Sequence, residues 1–211
     1  MLRDGAGGGK RVSAATVEGV WSVDDLQMAE KAMRDLAQKP LFLIRDGDAA
    51  LDTTLAARGY AIIDPVVAYS APVTRFDAPA QMTTFPHWPP LSIAENLWAD
   101  CGLGPARIAI MHRALGPKTV ILSRSADHPS GVAFVACHGP IAMLHALEVI
   151  PSLRRQGSAQ NILRAAAHWA GDQGASALAL VVTQANDAAR QLYEGLGMHA
   201  VGQYQYRQHG D

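Results

Sequence analysis

The stretch Leu153-Arg154-Arg155-Gln156-Gly157-Ser158-Ala159 places two formal positive charges, a glycine and two small side chains at the start of an amphipathic segment. Amides of a helix's first turn lack intrahelical acceptors, and the helix dipole puts partial positive charge there, so an anion is stabilised at such a point. Arg154 and Arg155 add to that field, and Gly157, without a Cβ, lets a ligand come close to the backbone. The stretch is therefore a candidate site for a phosphate-bearing cofactor, the alternative being an ordinary strand-to-helix turn with two solvated arginines. Neither Gly-x-x-x-x-Gly-Lys-Ser/Thr nor Gly-x-Gly-x-x-Gly after a strand occurs in the chain. Downstream, Asn186 and Tyr193 are seven residues apart, about two helical turns, so they share one helix face. Upstream, His145 and Glu148 lie in the apolar run that ends at the loop, and His112 lies further back; each is able to take a proton. In a regular strand His145 shares parity with Leu147 and Val149 while Glu148 points the other way, so at most one of the pair faces a substrate. A structural histidine is an alternative for either imidazole. No His-x-x-x-His pair or cysteine-rich cluster implies a metal.

Several elements must position these groups. After Met1 to Arg11, glycine-rich and without periodicity, residues 1–23 are expected to be a flexible tail and lead-in. Asp24 is the expected N-cap of a helix over Asp25 to Gln38, followed by a strand at Leu41 to Ile44, a helix at Ala49 to Arg58 and a strand from Tyr60 to Tyr69. This helix-strand-helix-strand set defines a half-domain over 24–70. Residues 71–90 form a proline-rich linker, because Pro72, Pro79, Pro86, Pro89 and Pro90 remove donors and fix φ. A helix at Ser92 to Asp100 then precedes an antiparallel meander: Arg107 to Leu115, Thr119 to Ser125, Val132 to His138 and Ile141 to Ile150. Beyond the loop, Ala159, Ile162, Leu163, Ala166, Trp169 and Ala170 give one apolar helix face, Ala177 to Val182 a doubly covered strand, a helix begins at Asn186, and Met198 to Arg207 is the last strand.

The whole chain reads as globular. Of its 211 residues 49% are hydrophobic and 18% charged, and the formal net charge is -1, which argues against disorder and against a nucleic-acid partner. Cys101 and Cys137 have no CxxC spacing, and nothing near Met1 has the apolar core of a secretory signal. No apolar run reaches the roughly 18 residues needed to span a bilayer. Two reduced thiols in a cytoplasmic protein without a membrane partner are the expectation. The order helix, strand, helix, strand recurs in both halves; aligning Gly59 with Gly197 sets Leu55 against Tyr193 and Asp48 against Asn186, which suggests a duplication whose first copy lacks the basic loop and the phenol.

An antiparallel meander, a strand ending Val149-x-Pro151, the loop Arg154-Arg155-Gln156-Gly157-Ser158-Ala159, and Asn186-x-x-Ala189-x-x-x-Tyr193-Glu194-x-x-Gly197 together resemble the GCN5-related N-acetyltransferase (GNAT) superfamily, over roughly Leu91 to Arg207. The resemblance implies an α/β (α+β) fold with a mixed, mostly antiparallel central sheet flanked by helices, here a catalytic domain over 91–211 preceded by a degenerate GNAT-like half-copy. It implies acetyl-CoA as co-substrate and no metal. Gln156, Gly157, Ser158 and Ala159 would bind the pyrophosphate through their amides, flanked by Arg154 and Arg155. Backbone groups of Leu147 and Val149 would pair with the pantetheine arm as an added strand. Asn186 would lie near that arm, and Tyr193 would protonate the departing thiolate; their alternatives are an N-cap and a core phenol. His145 and Glu148 are the catalytic base candidates on the strand, with His112 behind them. The activity implied is N-acetyl transfer to a primary amine of a small molecule or peptide, with a non-catalytic acyl-CoA-binding regulatory or scaffold protein as the alternative. Acceptor contacts would come from Phe85 to Pro90 and Glu95 to Trp98, and a homodimer stays open.

Overall fold

A computed structural model describes residues 1–210. In chain order the elements are α1 (Lys10–Ser13), α2 (Val23–Asp35), β1 (Leu41–Arg45), α3 (Ala49–Ala57), β2 (Tyr60–Pro72), β3 (Thr84–His87), α4 (Ser92–Asp100), α5 (Pro105–Arg113), β4 (Lys118–Ser125), β5 (His128–His138), β6 (Ile141–Val149), α6 (Ser158–Asp172), β7 (Ala177–Thr183), α7 (Asp187–Gly195) and β8 (His199–His209). Among the described residues no helix is long and apolar enough to cross a membrane.

The chain divides into two compact units. The first comprises Met1–Val67, Thr183–Asn186 and the chain from Gly202 onward. Its core gathers Leu26 and Met33 of α2, Phe42 and Ile44 of β1, Leu51 and Leu55 of α3, and Tyr60, all 6% exposed or less. These sit at helical spacing on α2 and α3 and at alternate positions on β1, so each element turns one apolar side inward. α2 starts two residues earlier than the sequence suggests: Ser22, not Asp24, is its N-cap, with its Oγ accepting from the Asp25 amide and the Asp25 carboxylate accepting from the Ser22 amide. That reciprocal pair satisfies two donors at once, which a single Asp24 cap does not. β1 pairs antiparallel with β8, Leu41 opposite Gln208 and Arg45 opposite Tyr204. The lead-in is tied down as well: the Met1 ammonium donates to the Thr16 carbonyl at 2.6 Å and Arg3 to the Ala14 carbonyl at 2.9 Å.

The second unit, Ala68–Val182 and Asp187–Val201, carries the strand order β7-β6-β5-β4-β3. β3 to β6 are successively antiparallel and β7 joins β6 in parallel, so the sheet is mixed and mostly antiparallel, as expected. On one face α6 buries Ile162, Leu163 and Ala166. The opposite face carries α4 and α5, with Ala94, Leu97, Trp98 and Met111 packed on Val120, Val132 and Phe134. Two elements depart from the sequence reading. Arg107 to Leu115 is not a meander strand; Pro105–Arg113 is helical, with Pro105 in the first turn, where its fixed φ and missing N–H favour a helix, and with Ile108 and Met111 at i, i+3 toward the core. The proline-rich segment contains strand β3, where Pro86 lies opposite Ile121 on the outermost strand and needs no N–H donor on its open side.

Candidate functional site

The site is built around β6, whose geometry is irregular where sequence parity assumed regularity. β6 pairs with β5 from His138↔Ile141 to Phe134↔His145, and then Val132 faces Glu148 and Gly131 faces Val149. One residue of β5 is thus spanned by two of β6, a bulge centred on Ala146, whose φ is +51°. The extra residue cancels the parity difference: His145 and Glu148 stand opposite Phe134 and Val132, two residues of one face, so both lie on the α4 side of the sheet. The expected opposition of these two side chains is thereby corrected. Val149, opposite Gly131, lies on the α6 side, where a Cβ on Gly131 would come within 3.2 Å of its Cγ2.

β6 and β7 pair in parallel only from Ile141↔Ala177 to Leu144↔Leu180. The bulge turns the last third of β6, including Leu147 and Val149, past the end of that ladder, so this backbone edge lies beyond the reach of β7 pairing. Trp98, fully buried on α4, donates its indole N–H to the Ala146 carbonyl at 2.9 Å and so satisfies the carbonyl at the bulge. A buried Trp98 cannot touch an acceptor substrate, which removes it from the expected acceptor contacts.

Glu148 is half-buried, and burial pushes its carboxyl above the usual carboxylate range, while the Arg154 charge and a hydrogen bond from Cys101 pull it back down. Cys101, the residue that ends α4, has its thiol pushed up by burial first and by the Glu148 charge second. Burial is the dominant cause for both groups, as low dielectric disfavours either anion.

At the C-terminal end of β6 the chain makes a short 3-10 turn, Pro151–Leu153, and enters the basic loop. Arg155 and Gly157 both have left-handed dihedrals, φ +64° and +85°. Arg154 extends and donates its Nε to the Val149 carbonyl at 3.3 Å. The two left-handed residues turn the chain sharply from the end of β6 into α6. Gly157 precedes α6 without a side-chain cap, so the first-turn amides from Ser158 onward have no intrahelical acceptor. Arg154, Arg155 and Gln156 are exposed, whereas Ser158 is 4% exposed and its Oγ donates to Ser130, whose Oγ donates in turn to Ser123. Ser158 therefore anchors the helix start to β5 and β4 with its side chain, leaving only its backbone for a ligand. Gln156 accepts from Ser125 at 3.1 Å.

Tyr193 lies on α7, 6% exposed, its ring 5.8 Å from that of Tyr69. Tyr69 donates its hydroxyl to Glu194 at 2.7 Å and accepts from Arg190 Nε at 3.3 Å, which fixes the helix that carries Tyr193. Gly197, φ +80°, ends this helix in the left-handed region that favours glycine, and the Arg75 side chain lies over it. Asn186 is exposed in the turn before α7, its amide donating to the Thr183 carbonyl at 3.1 Å. His112 is on α5, not on a strand, with its ring 4.9 Å from that of Trp88. Trp88 itself stacks 5.8 Å from Phe134, which makes it a cover over the α4-side core. Tyr69 is a supporting residue to which the sequence assigned no role, being one of several aromatic residues in a strand, whereas Trp98 was expected as an acceptor contact and instead supports β6.

The second unit carries a buried phenol on α7, a half-buried carboxylate on the bulged β6, a strand edge beyond the β7 ladder and a cationic helix start. Residues 109–198 match the acetyltransferase (GNAT) family. Similar solved structures include a functionally unknown conserved protein from Staphylococcus epidermidis, at 12% identity and TM-score 0.73 over 100% of this chain and 90% of that one. A GCN5-related N-acetyltransferase from Kribbella flavida matches at 17% identity and TM-score 0.65 over 88% and 74% of the two chains. Another, from Sphaerobacter thermophilus, matches at 13% identity and TM-score 0.63 over 86% and 65%. Comparison with curated proteins finds no match. Over residues 109–198 this chain is similar to the GNAT family of acetyltransferases, and its fold is that of the GCN5-related N-acetyltransferases it matches.

Proposed function

We propose that this protein transfers an acetyl group from acetyl-CoA to a primary amine of a small molecule or peptide by direct attack. The observation that carries the reading is the coincidence, at one end of β6, of the Ala146 bulge, the end of β6–β7 pairing and the left-handed loop at Arg155 and Gly157. The residues fit the co-substrate: amides of Gln156 to Ala159 and the exposed Arg154 and Arg155 suit a pyrophosphate, and the edge of Leu147 and Val149 suits an extended pantetheine amide chain. Acetyl-CoA supplies an activated thioester. Backbone amides near Leu147 polarise its carbonyl.

A primary amine arrives largely protonated, its reference pKa being about 10, so a base must take a proton before the nitrogen can attack. Glu148 is that base in our reading: it stands on the α4 face and its raised pKa makes its carboxylate more basic than a solvated one. His145, brought to the same face by the bulge, is the second candidate. Tyr193 gives its phenolic proton to the departing sulfur.

Release of free thiol from acetyl-CoA against a panel of amines tests the activity, and cofactor binding without turnover on any amine would favour the regulatory or scaffold alternative. Tyr193→Phe keeps the ring that packs on Tyr69 and should lower turnover by roughly 10²–10⁴-fold with acetyl-CoA affinity retained. Unchanged turnover would remove the acid role from Tyr193.

A further inference from the structure

We propose that Tyr69 on β2 is the positioning residue for the acid at Tyr193: its ring seats the Tyr193 ring, and its hydroxyl ties α7 to the sheet through Glu194 and Arg190. The inference rests on the reading of Tyr193 as the acid.

Nine residues make α7 only about two and a half turns long, and Tyr193 is the buried residue it contributes. A helix so short has little stability of its own, so its place is set by the side chains that dock it. Arg190, Tyr193 and Glu194 stand at i, i+3 and i+4, and all three meet Tyr69 from one side of α7. The Tyr69 hydroxyl is used in both its capacities: it donates to the Glu194 carboxylate at 2.7 Å and accepts from Arg190 Nε at 3.3 Å. The bond to Glu194 is charge-assisted, hence short and directional. The rings of Tyr69 and Tyr193 lie 5.8 Å apart and tilted by 56°, a favourable arrangement for an aromatic pair.

The support under this contact is itself fixed. Tyr69 is 1% exposed, and Ser70 beside it donates to the Leu178 carbonyl of β7 at 3.3 Å. At the end of α7 the Leu196 and Met198 amides both donate to the Tyr193 carbonyl, at 3.1 and 3.0 Å. The chain thus closes around the Tyr193 backbone while Tyr69 holds its ring and its helical neighbours.

Position is what this acid depends on. A phenol with a reference pKa of about 10 protonates a thiolate with little driving force, so distance and alignment govern the transfer. Tyr69 makes no bond to the reacting atoms in this reading and acts through Tyr193. Phenylalanine at this place would keep the ring contact and lose only the tie. Glu194 is exposed and Arg190 partly so, and both return to water at little cost. The hydroxyl therefore contributes to the placement of α7 more than to the stability of the fold.

The test compares kcat and KM for acetyl-CoA in wild type, Tyr69→Phe, Tyr193→Phe and the double variant. Tyr69→Phe should lower kcat roughly tenfold and leave KM within about twofold. In the Tyr193→Phe background the same change should alter kcat by less than about twofold, because the residue it positions has lost its proton. Glu194→Gln, which keeps an acceptor for the phenol, should stay near wild type, and Glu194→Ala should reproduce Tyr69→Phe. Full turnover in Tyr69→Phe, or an equal loss in both backgrounds, would overturn the proposal and leave the acid reading intact; full turnover in Tyr193→Phe would remove both. Amide hydrogen exchange needs no turnover and separates the tie from the activity. The α7 amides should exchange roughly three- to tenfold faster in Tyr69→Phe and in Glu194→Ala, with those of α6 unchanged. Unaltered exchange in α7, or a rise shared by α6, would sink the proposal even if wild type proves to be an active acetyltransferase.

Discussion

In the proposed reaction Glu148 stands where function and stability oppose each other. Its folded-state pKa is raised, chiefly by burial, so between the unfolded value of about 4.3 and the raised one the folded protein binds more protons than the unfolded chain. Stability therefore falls as pH rises through that window, and at neutral pH the ionised carboxylate is carried at a cost. Glu148→Gln should then raise the melting temperature at neutral pH relative to wild type, with the gap closing below the unfolded pKa, while turnover falls. Thermal unfolding at several pH values checks the sign; a melting temperature lowered at neutral pH would mean that the Cys101 and Arg154 contacts outweigh desolvation. Tyr193 is held by packing, its ring lying against that of Tyr69.

Among the elements, β6 and the loop after it do most to shape the site, and both depend on backbone that only a few residues adopt without strain. Ala146 occupies the left-handed region despite its Cβ, at a cost of about 1–2 kcal/mol, and the Trp98 indole meets its carbonyl there. Gly157 has φ +85°, and a Cβ placed on it would touch nothing within 4 Å. The penalty for Gly157→Ala is thus conformational rather than steric, about 1–2 kcal/mol, and the loop can relieve it by reorienting its amides. The expected outcome is a raised KM for acetyl-CoA with kcat largely kept and a melting temperature slightly lowered. An unchanged KM would show that the amides at this turn do not hold the cofactor.

At the scale of the whole molecule, each unit has a core of its own, and the first also has a partly buried ion pair. Arg207 on β8 donates to Asp52 of α3 through Nε at 2.8 Å and NH2 at 3.1 Å, and Gln205 adds a third donor. The Arg207 hydrogen bond is the main cause that holds the Asp52 carboxyl below its usual range. A depressed carboxylate contributes stability above the unfolded pKa of about 3.9 and loses it as pH falls through the folded value. Asp52→Asn should cost about 1–3 kcal/mol at neutral pH, since it leaves Arg207, only 11% exposed, without its counter-charge, and the difference from wild type should vanish in strong acid. Equal stability of the two proteins at neutral pH, by chemical unfolding, would contradict it.

Much of this was legible in one dimension because it is written in short-range physics. The loop after β6 combines charge, glycine and a helix start within one turn; α6 shows its buried face by periodicity; β7 shows its double coverage by an unbroken apolar run. Arg107 to Arg113 misled because Ile and Met recur there at spacings that a strand and a helix share, and Pro105 was the cue to the helix. The sequence by itself determined the sheet-and-helix class, the basic loop at the start of α6 and the phenol on α7, since each follows from local composition or helical spacing. Only the tertiary structure decided which way Glu148 points. The bulge at Ala146 arises from the pairing of β6 with β5 and from an indole 48 residues away along the chain, and strand parity contains neither.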